Sequence, residues 1–139
     1  MSQENVEIVR RMLDARNRGD AETVMAYAAD DIEFDLSASP GPFAGVYKGH
    51  EQVMRLWKAW SEVFSEMIWE AEELVARGDA VIVPVRFRSR GRGSGVETVA
   101  RAVHVYWLRD GKVVRYRQCQ NWPEALEAVG PRTEASTSR

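Results

Sequence analysis

The chain has 139 residues and a formal net charge of −2, enough for one domain with a real core and too little positive charge for a general nucleic-acid binder, whose affinity rests on neutralising phosphates. No apolar run is long enough to span a membrane, and the polar N-terminus is not a signal peptide. A single cysteine, Cys119, excludes an internal disulfide and makes a reducing cytoplasm the simplest compartment.

Val6, Val9, Met12 and Leu13 recur at helical spacing, with Glu4 and Glu7 early and Arg10, Arg11, Arg16 and Arg18 late, as the helix dipole favours. Gly19 stops this helix, and Asp20 caps a short second one through Tyr27. Ile32 to Leu36 alternates as a strand. A loop rich in Pro, Gly and Ser runs from Ser37 to Gly49. A third helix begins near His50 and carries Val53, Leu56, Trp57, Trp60 and Phe64 on one side, a wide apolar stripe that must face something. Met67 to Ala76 reads as a strand with a bulge at Glu72-Glu73.

Asp79 to Asn121 reads as three consecutive antiparallel strands. Asp110-Gly111 is a two-residue hairpin signal, so Trp107 is expected opposite Val114, Val105 opposite Tyr116, Val103 opposite Gln118 and Arg101 opposite Gln120. Centring the preceding hairpin on Gly93 adds Phe87, Val85 and Val83 to that face. It is almost wholly apolar except for Arg101, Gln118 and Gln120, and is read as the core side. The other face carries Arg86, Arg88, His104, Tyr106, Arg115, Arg117 and Cys119. Pro123 opens a short last helix through Ala128, and residues 131–139 read as a disordered tail after a domain spanning 1–130. Helices on one side of a bent sheet make an α+β layer around a conical hollow.

This order of elements, with the strings NVEIVRRML, NRGDAETVMAYAADDIEF, VYKGHEQV, RGRGSG, HVYWLRDGKVVR and PEALEAVG, resembles the SnoaL-like branch of the nuclear transport factor 2-like superfamily, from about Asn5 to Gly130. The resemblance implies a cone-shaped barrel of a strongly bent, mainly antiparallel sheet wrapped around three N-terminal helices, commonly in a homodimer joined through the sheet. It also implies one of many activities: polyketide cyclases, ketosteroid isomerases, epoxide hydrolases and ligand-binding domains share it. Ketosteroid isomerases need a tyrosine, a basic aspartate and a protonated aspartate, and the matching positions here hold Met12, Leu36 and Val103, so that chemistry is not expected. The epoxide hydrolases need a carboxylate beside an arginine, and the inner face of the sheet offers none beside Arg101.

The expected function is binding of a small hydrophobic molecule with a polar end, in a pocket lined by Phe34, Trp57, Trp60, Val85, Arg101, Val103, Tyr116, Gln118 and Gln120. No cofactor is expected, and two distant histidines with one cysteine give no metal-ligand set. Arg101 has two readings, a charge-assisted anchor for the ligand or half of a buried ion pair with Asp35 or a helix carboxylate. Trp57 and Trp60 read equally as pocket wall and as ordinary core. Asp35 is the one carboxylate near the expected mouth, though alternation with Phe34 and Leu36 points it away. The alternative function is a cofactor-free cyclase, isomerase or hydrolase acting on a hydrophobic carbonyl or epoxide through Asp35 and Arg101. Ala102, His104, Tyr106, Leu108, Val113 and Cys119 make the other sheet face rich enough in apolar and aromatic groups to expect a homodimer there.

Overall fold

The computed structural model describes residues 2–39 and 41–130, so the expected tail at 131–139 lies outside the described residues. Helix α1 spans Ser2–Asn17 and α2 Ala21–Tyr27. The turn between them is held by Asp20, whose carboxylate accepts from the Thr23 amide at 3.2 Å and the Thr23 hydroxyl at 2.7 Å, an N-cap that satisfies amides the helix itself leaves unpaired. Strand β1 covers Ala28–Asp35, and a short β2, Val46–Lys48, pairs with it from within the Pro- and Gly-rich stretch read as loop. Gly49 then adopts φ +80° to start α3, Gly49–Val63.

The remaining strands are β3 (Phe64–Ala71), β4 (Val75–Arg77), β5 (Ala80–Gly91), β6 (Glu97–Arg109) and β7 (Lys112–Cys119), followed by α4 (Trp122–Val129). The stretch expected as one bulged strand is two, β3 and β4, which both pair with β5 on either side of Glu72-Glu73-Leu74. The sheet order is β2-β1-β7-β6-β5-β3, antiparallel throughout except where β1 lies parallel to β7. It curves strongly around α1, α2 and α3 without closing, so the fold is the expected α+β cone with an open seam.

Register departs from expectation in one respect with large consequences. Asp110 and Gly111 both have positive φ, 53° and 78°, as the expected two-residue turn demands. Leu108 opposes Val113, but the ladder then shifts by one: Trp107 pairs with Arg115, Tyr106 with Tyr116 and His104 with Gln118. Val114 is the extra residue of a bulge. The β5–β6 hairpin is also displaced by one, so that Val83 pairs with His104 and Val85 with Ala102. Side chains alternate, so these slips turn β6 over. His104, Tyr106 and Leu108 face the helices; Arg101, Val103 and Val105 face away.

Two cores result. The main one packs Val9, Met12 and Leu13 of α1, Val53 and Leu56 of α3, and Val81, Val83, Val85, Tyr106 and Tyr116 of the sheet. The second, behind the sheet, packs Ala80, Ile82, Val103, Val105 and Cys119 beneath Ala125, Trp122 and Leu126 of α4. The side chains that suggested an outer dimer face are therefore engaged elsewhere: His104, Tyr106, Leu108 and Val113 lie in the interior, and Cys119 is buried beside α4.

The end of α1 is tied to the edge strand by a reciprocal pair. Asn17 Nδ2 donates to the Trp69 carbonyl at 2.8 Å, and the Trp69 amide donates to Asn17 Oδ1 at 2.9 Å. An alanine at Asn17 leaves two partly buried backbone groups of Trp69 without those partners, and is expected to lower stability by about 1–3 kcal/mol. Urea unfolding should show a lower midpoint at an unchanged m-value; an unmoved midpoint would mean that water replaces the amide at no cost.

Candidate functional site

The hollow of the cone has two parts. The larger, about 290 Å³, opens toward the end of α3 and is lined by Leu36, Ser39, Phe43, Phe64, Met67 and Trp69 on one side, and by Ala100, Ala102, His104 and Gln118 of the concave sheet face on the other. The smaller, about 20 Å³, lies deeper, between α1, α3 and β1, among Met12, Arg16, Phe34, Leu56, Trp57, Tyr106 and Tyr116. Trp60 belongs to both walls.

Arg16, whose expected role was to stabilise the α1 dipole, is the buried centre of this region. It is 8% exposed. Its guanidinium carbon stands 3.9 Å from the Trp69 ring centre, 5.5 Å from Tyr116, and 5.6 Å from both Phe34 and Trp60. This is a cation held among π faces. Among the described residues no carboxylate pairs with it; the Tyr106 and Tyr116 hydroxyls interact with its charge, but Nη2 meets no acceptor at good hydrogen-bond geometry. The sequence did carry a signal. Arg16 follows Val9 by seven residues, Met12 by four and Leu13 by three, which puts it on the buried stripe.

Around Arg16 the rings are arranged edge to face and stacked. Phe34 stacks on Tyr116 with centroids 4.2 Å apart, and His104 meets Tyr116 edge-on at 5.0 Å. His104 is fully buried, with neither ring nitrogen hydrogen-bonded; the Tyr116 hydroxyl interacts with the Arg16 charge but has no acceptor at good geometry. Burial, with the nearby Arg16 charge adding to it, holds the His104 pKa well below the usual histidine range. Burial pushes both Tyr106 and Tyr116 upward, and Arg16 opposes that only in part. Burial also raises the Cys119 thiol to about 11, so at neutral pH it is not a thiolate nucleophile.

Of the residues expected to line a pocket, Phe34, Trp57 and Tyr116 surround the deep void, Trp60 stands between the two spaces, and Gln118 faces the larger one. Val85 is on the concave face, buried in the main core. Val103 is not in the pocket: the turned β6 puts it behind the sheet against α4. Arg101 reaches only the rim of the larger space. Its side chain is 69% exposed and ion-paired with Glu72, a surface contact worth about 0–1 kcal/mol, so it is neither a buried anchor nor a buried structural pair. Gln120 is at the same rim, donating to the Ala38 carbonyl. Asp35 accepts from the Ser37 amide and hydroxyl, at 2.8 and 2.6 Å, and pairs with Arg115 at 3.6 Å. Burial alone would raise its pKa, but the Ser37 hydrogen bonds and the charges of Arg117 and Arg115 outweigh that and hold it low. Asp35 and Arg101 therefore share no site. Among the described residues no three His, Cys, Asp or Glu side chains converge on a possible metal position.

The sequence profile of the SnoaL-like domain matches residues 9–116. The chain belongs to this family. No curated protein is significantly similar to this SnoaL-like chain in sequence. Among solved structures, a nuclear transport factor 2-like protein from Burkholderia xenovorans LB400 is 29% identical, with a TM-score of 0.73 over 94% of this chain and 98% of the other. TerC, co-crystallized with polyporic acid, is 20% identical, with a TM-score of 0.76 over 85% and 92%. A provisionally named SnoaL-like polyketide cyclase from Jannaschia sp. CCS1 is 22% identical, with a TM-score of 0.73 over 84% and 85%. The last two likenesses show the fold alone.

The state of His104 makes the SnoaL-like domain acid-sensitive in a defined direction. In the unfolded chain the imidazole takes up a proton near its ordinary value, about 6.5; in the folded chain it resists. The unfolded state therefore binds more protons as pH falls through that value, and stability is lost below it by up to about 1.4 kcal/mol per pH unit. His104→Phe is expected to flatten the stability profile between pH 6.5 and 5, measured by urea unfolding against the wild type. Equal slopes in the two proteins would mean that His104 is not buried neutral.

Proposed function

We propose that this SnoaL-like domain binds a small, flat, largely apolar molecule with a polar end in the larger space of the cone. The observation that carries the reading is an open cavity of about 290 Å³ whose aromatic walls, Phe43, Trp60, Phe64, Trp69 and Phe87, face polar side chains at His104, Gln118 and Ser39. An apolar concavity with a few convergent polar groups is the form small-molecule sites take. Aromatic walls favour a ligand that can offer them a face. The fold relatives crystallised with polyporic acid and provisionally named a polyketide cyclase are consistent with a cone that admits organic molecules.

A panel of aromatic acids, amides and quinones, screened by thermal unfolding, tests this directly. A ligand at 100 times its dissociation constant stabilises by about 2.7 kcal/mol, which is several degrees in Tm for a chain of this size. Ala102 lies half-buried in the cavity wall, so Ala102→Phe is expected to fill the space and abolish the shift while leaving the ligand-free Tm nearly unchanged. Equal ligand shifts in both proteins would place binding elsewhere and overturn the reading.

A second reading, the cofactor-free cyclase, isomerase or hydrolase, is favoured by one observation: a neutral imidazole, His104, at the cavity wall with no partner of its own. The unprotonated imidazole is the form a general base takes, and burial beside Arg16 weakens it as a base. Turnover of a bound carbonyl compound that vanishes in His104→Phe while binding persists would carry this reading; binding without turnover leaves the first.

A further inference from the structure

Arg16 poses a question that cavity binding alone does not answer. A guanidinium removed from water with no carboxylate beside it costs several kcal/mol. Its place in the last turn of α1 gains from the helix dipole, and the four rings supply cation–π attraction. Neither contact gives the Nη2 hydrogens an acceptor at good geometry, and the Tyr116 hydroxyl, whose interaction is with the Arg16 charge, has no acceptor for its own proton. Three polar side chains, Arg16, Tyr106 and Tyr116, border the deep void. At about 20 Å³ that void has room for one oxygen-sized group. Everything else around it is an apolar or aromatic side chain, Trp57 and Trp60 among them.

The two spaces meet at Trp60, the wall common to both, and Trp69 presents its ring to Arg16 while lining the larger one. Trp60 and Trp69 are therefore the rings that stand between a molecule in the larger space and Arg16. We propose that Arg16 is the anion-binding residue of this SnoaL-like domain, and that the ligand is a flat, largely apolar acid whose ionised oxygen enters the deep void against the Arg16 guanidinium and the tyrosine hydroxyls. The inference rests on the cavity reading above and adds the charge of the ligand to it. The other candidates for holding an anion are spent or absent. Arg101 is engaged by Glu72 at the rim, and His104 carries no charge at neutral pH because a proton there would sit in apolar surroundings beside Arg16. An ionised oxygen accepts from Arg16 and Tyr116 together, giving both donors the acceptor they lack through charge-assisted bonds. A neutral amide or ester would leave the cation unpaired.

The test compares 2-naphthoate with its neutral isostere 2-naphthamide, titrated by calorimetry into the intact chain at pH 7.5. The wild type is expected to bind the acid at least tenfold more tightly than the amide. Arg16→Met and Arg16→Gln should bring that ratio near one while changing the amide affinity less than threefold. Arg16→Met keeps the stem packing and removes a charge that has no partner, so its ligand-free Tm should stay the same or rise. Arg16→Lys, which keeps the charge but loses the planar fork, should retain only part of the preference, and unchanged preference in that variant would overturn the assignment. Equal binding of acid and amide by the wild type would overturn the anion inference and leave the cavity reading standing. Binding of neither, in a chain whose Ala102→Phe variant is indistinguishable from it, would overturn both. An Arg16→Met protein that melts far lower yet keeps the acid preference would make Arg16 a structural residue and sink the proposal.

Discussion

The single extra residue in β7, Val114, decides what the interior of this protein is made of. Side chains on a strand alternate with a period of two, so one inserted residue exchanges inside for outside along everything beyond it. Before the bulge Leu108 opposes Val113; beyond it Tyr106 meets Tyr116 and His104 meets Gln118. The aromatic and imidazole groups of β6 and β7 thereby converge on one concave face. Arg115 and Arg117 are sent to the other, where Arg115 meets Glu33 and Asp35 and Arg117 meets Glu124 of α4. Without the bulge those arginines would oppose the inner groups of β6, and no helix could pack there without stranding charge.

The helices were legible because their signals are local. The Asp20 cap, the Gly19 stop and the Pro123 start all act within one turn, and each is where the sequence places it. The inner faces of β5 and β7 were legible as well: Val83, Val85, Tyr116 and Gln118 lie on the concave side as expected. Strand β6 alone was reversed, because it is flanked by two one-residue slips, the bulge at Val114 and the off-centre turn after Gly91. Each slip is set by backbone geometry that residue type barely encodes. A hydrophobic count could not expose the error, since both faces of β6 are buried, one under α1 and α3 and the other under α4. The assignment of Arg101 and Val103 to the pocket failed for that reason.

Arg16 escaped for a different one. A charge on an amphipathic helix is normally counted as surface, and its fit to the dipole gave it an adequate role already. Only its spacing from Val9, Met12 and Leu13 said otherwise. The structure shows why the position tolerates it. Asn17, the next residue, clamps both backbone groups of Trp69, and that clamp sets the indole 3.9 Å from the guanidinium. The same few residues thus fix the end of α1 against the sheet edge and build the aromatic cage. Fold and site are coupled through Trp69, whose ring also stacks on Phe87 at 5.0 Å across the cavity wall.

The electrostatics of the hollow follow from burial more than from charge count. Tyr106, Tyr116 and Cys119 are all driven upward and stay protonated, while His104 is driven downward and stays neutral. Each shift has desolvation as its largest cause, and each leaves the group in the form that carries no charge. Asp35, a buried carboxylate, keeps its charge, which is met by the Ser37 hydrogen bonds and by Arg117 and Arg115 on the far side of the strand. The interior around Arg16 therefore contains three titratable groups, Tyr106, Tyr116 and His104, that are uncharged across the neutral range and one that is never uncharged. The low-dielectric surroundings that silence the others also make that one cation strongly attractive to an incoming negative charge. The proposed choice of an acid follows from this: many rings would accept an apolar body, but the energy of the buried guanidinium falls substantially only if an anion reaches it.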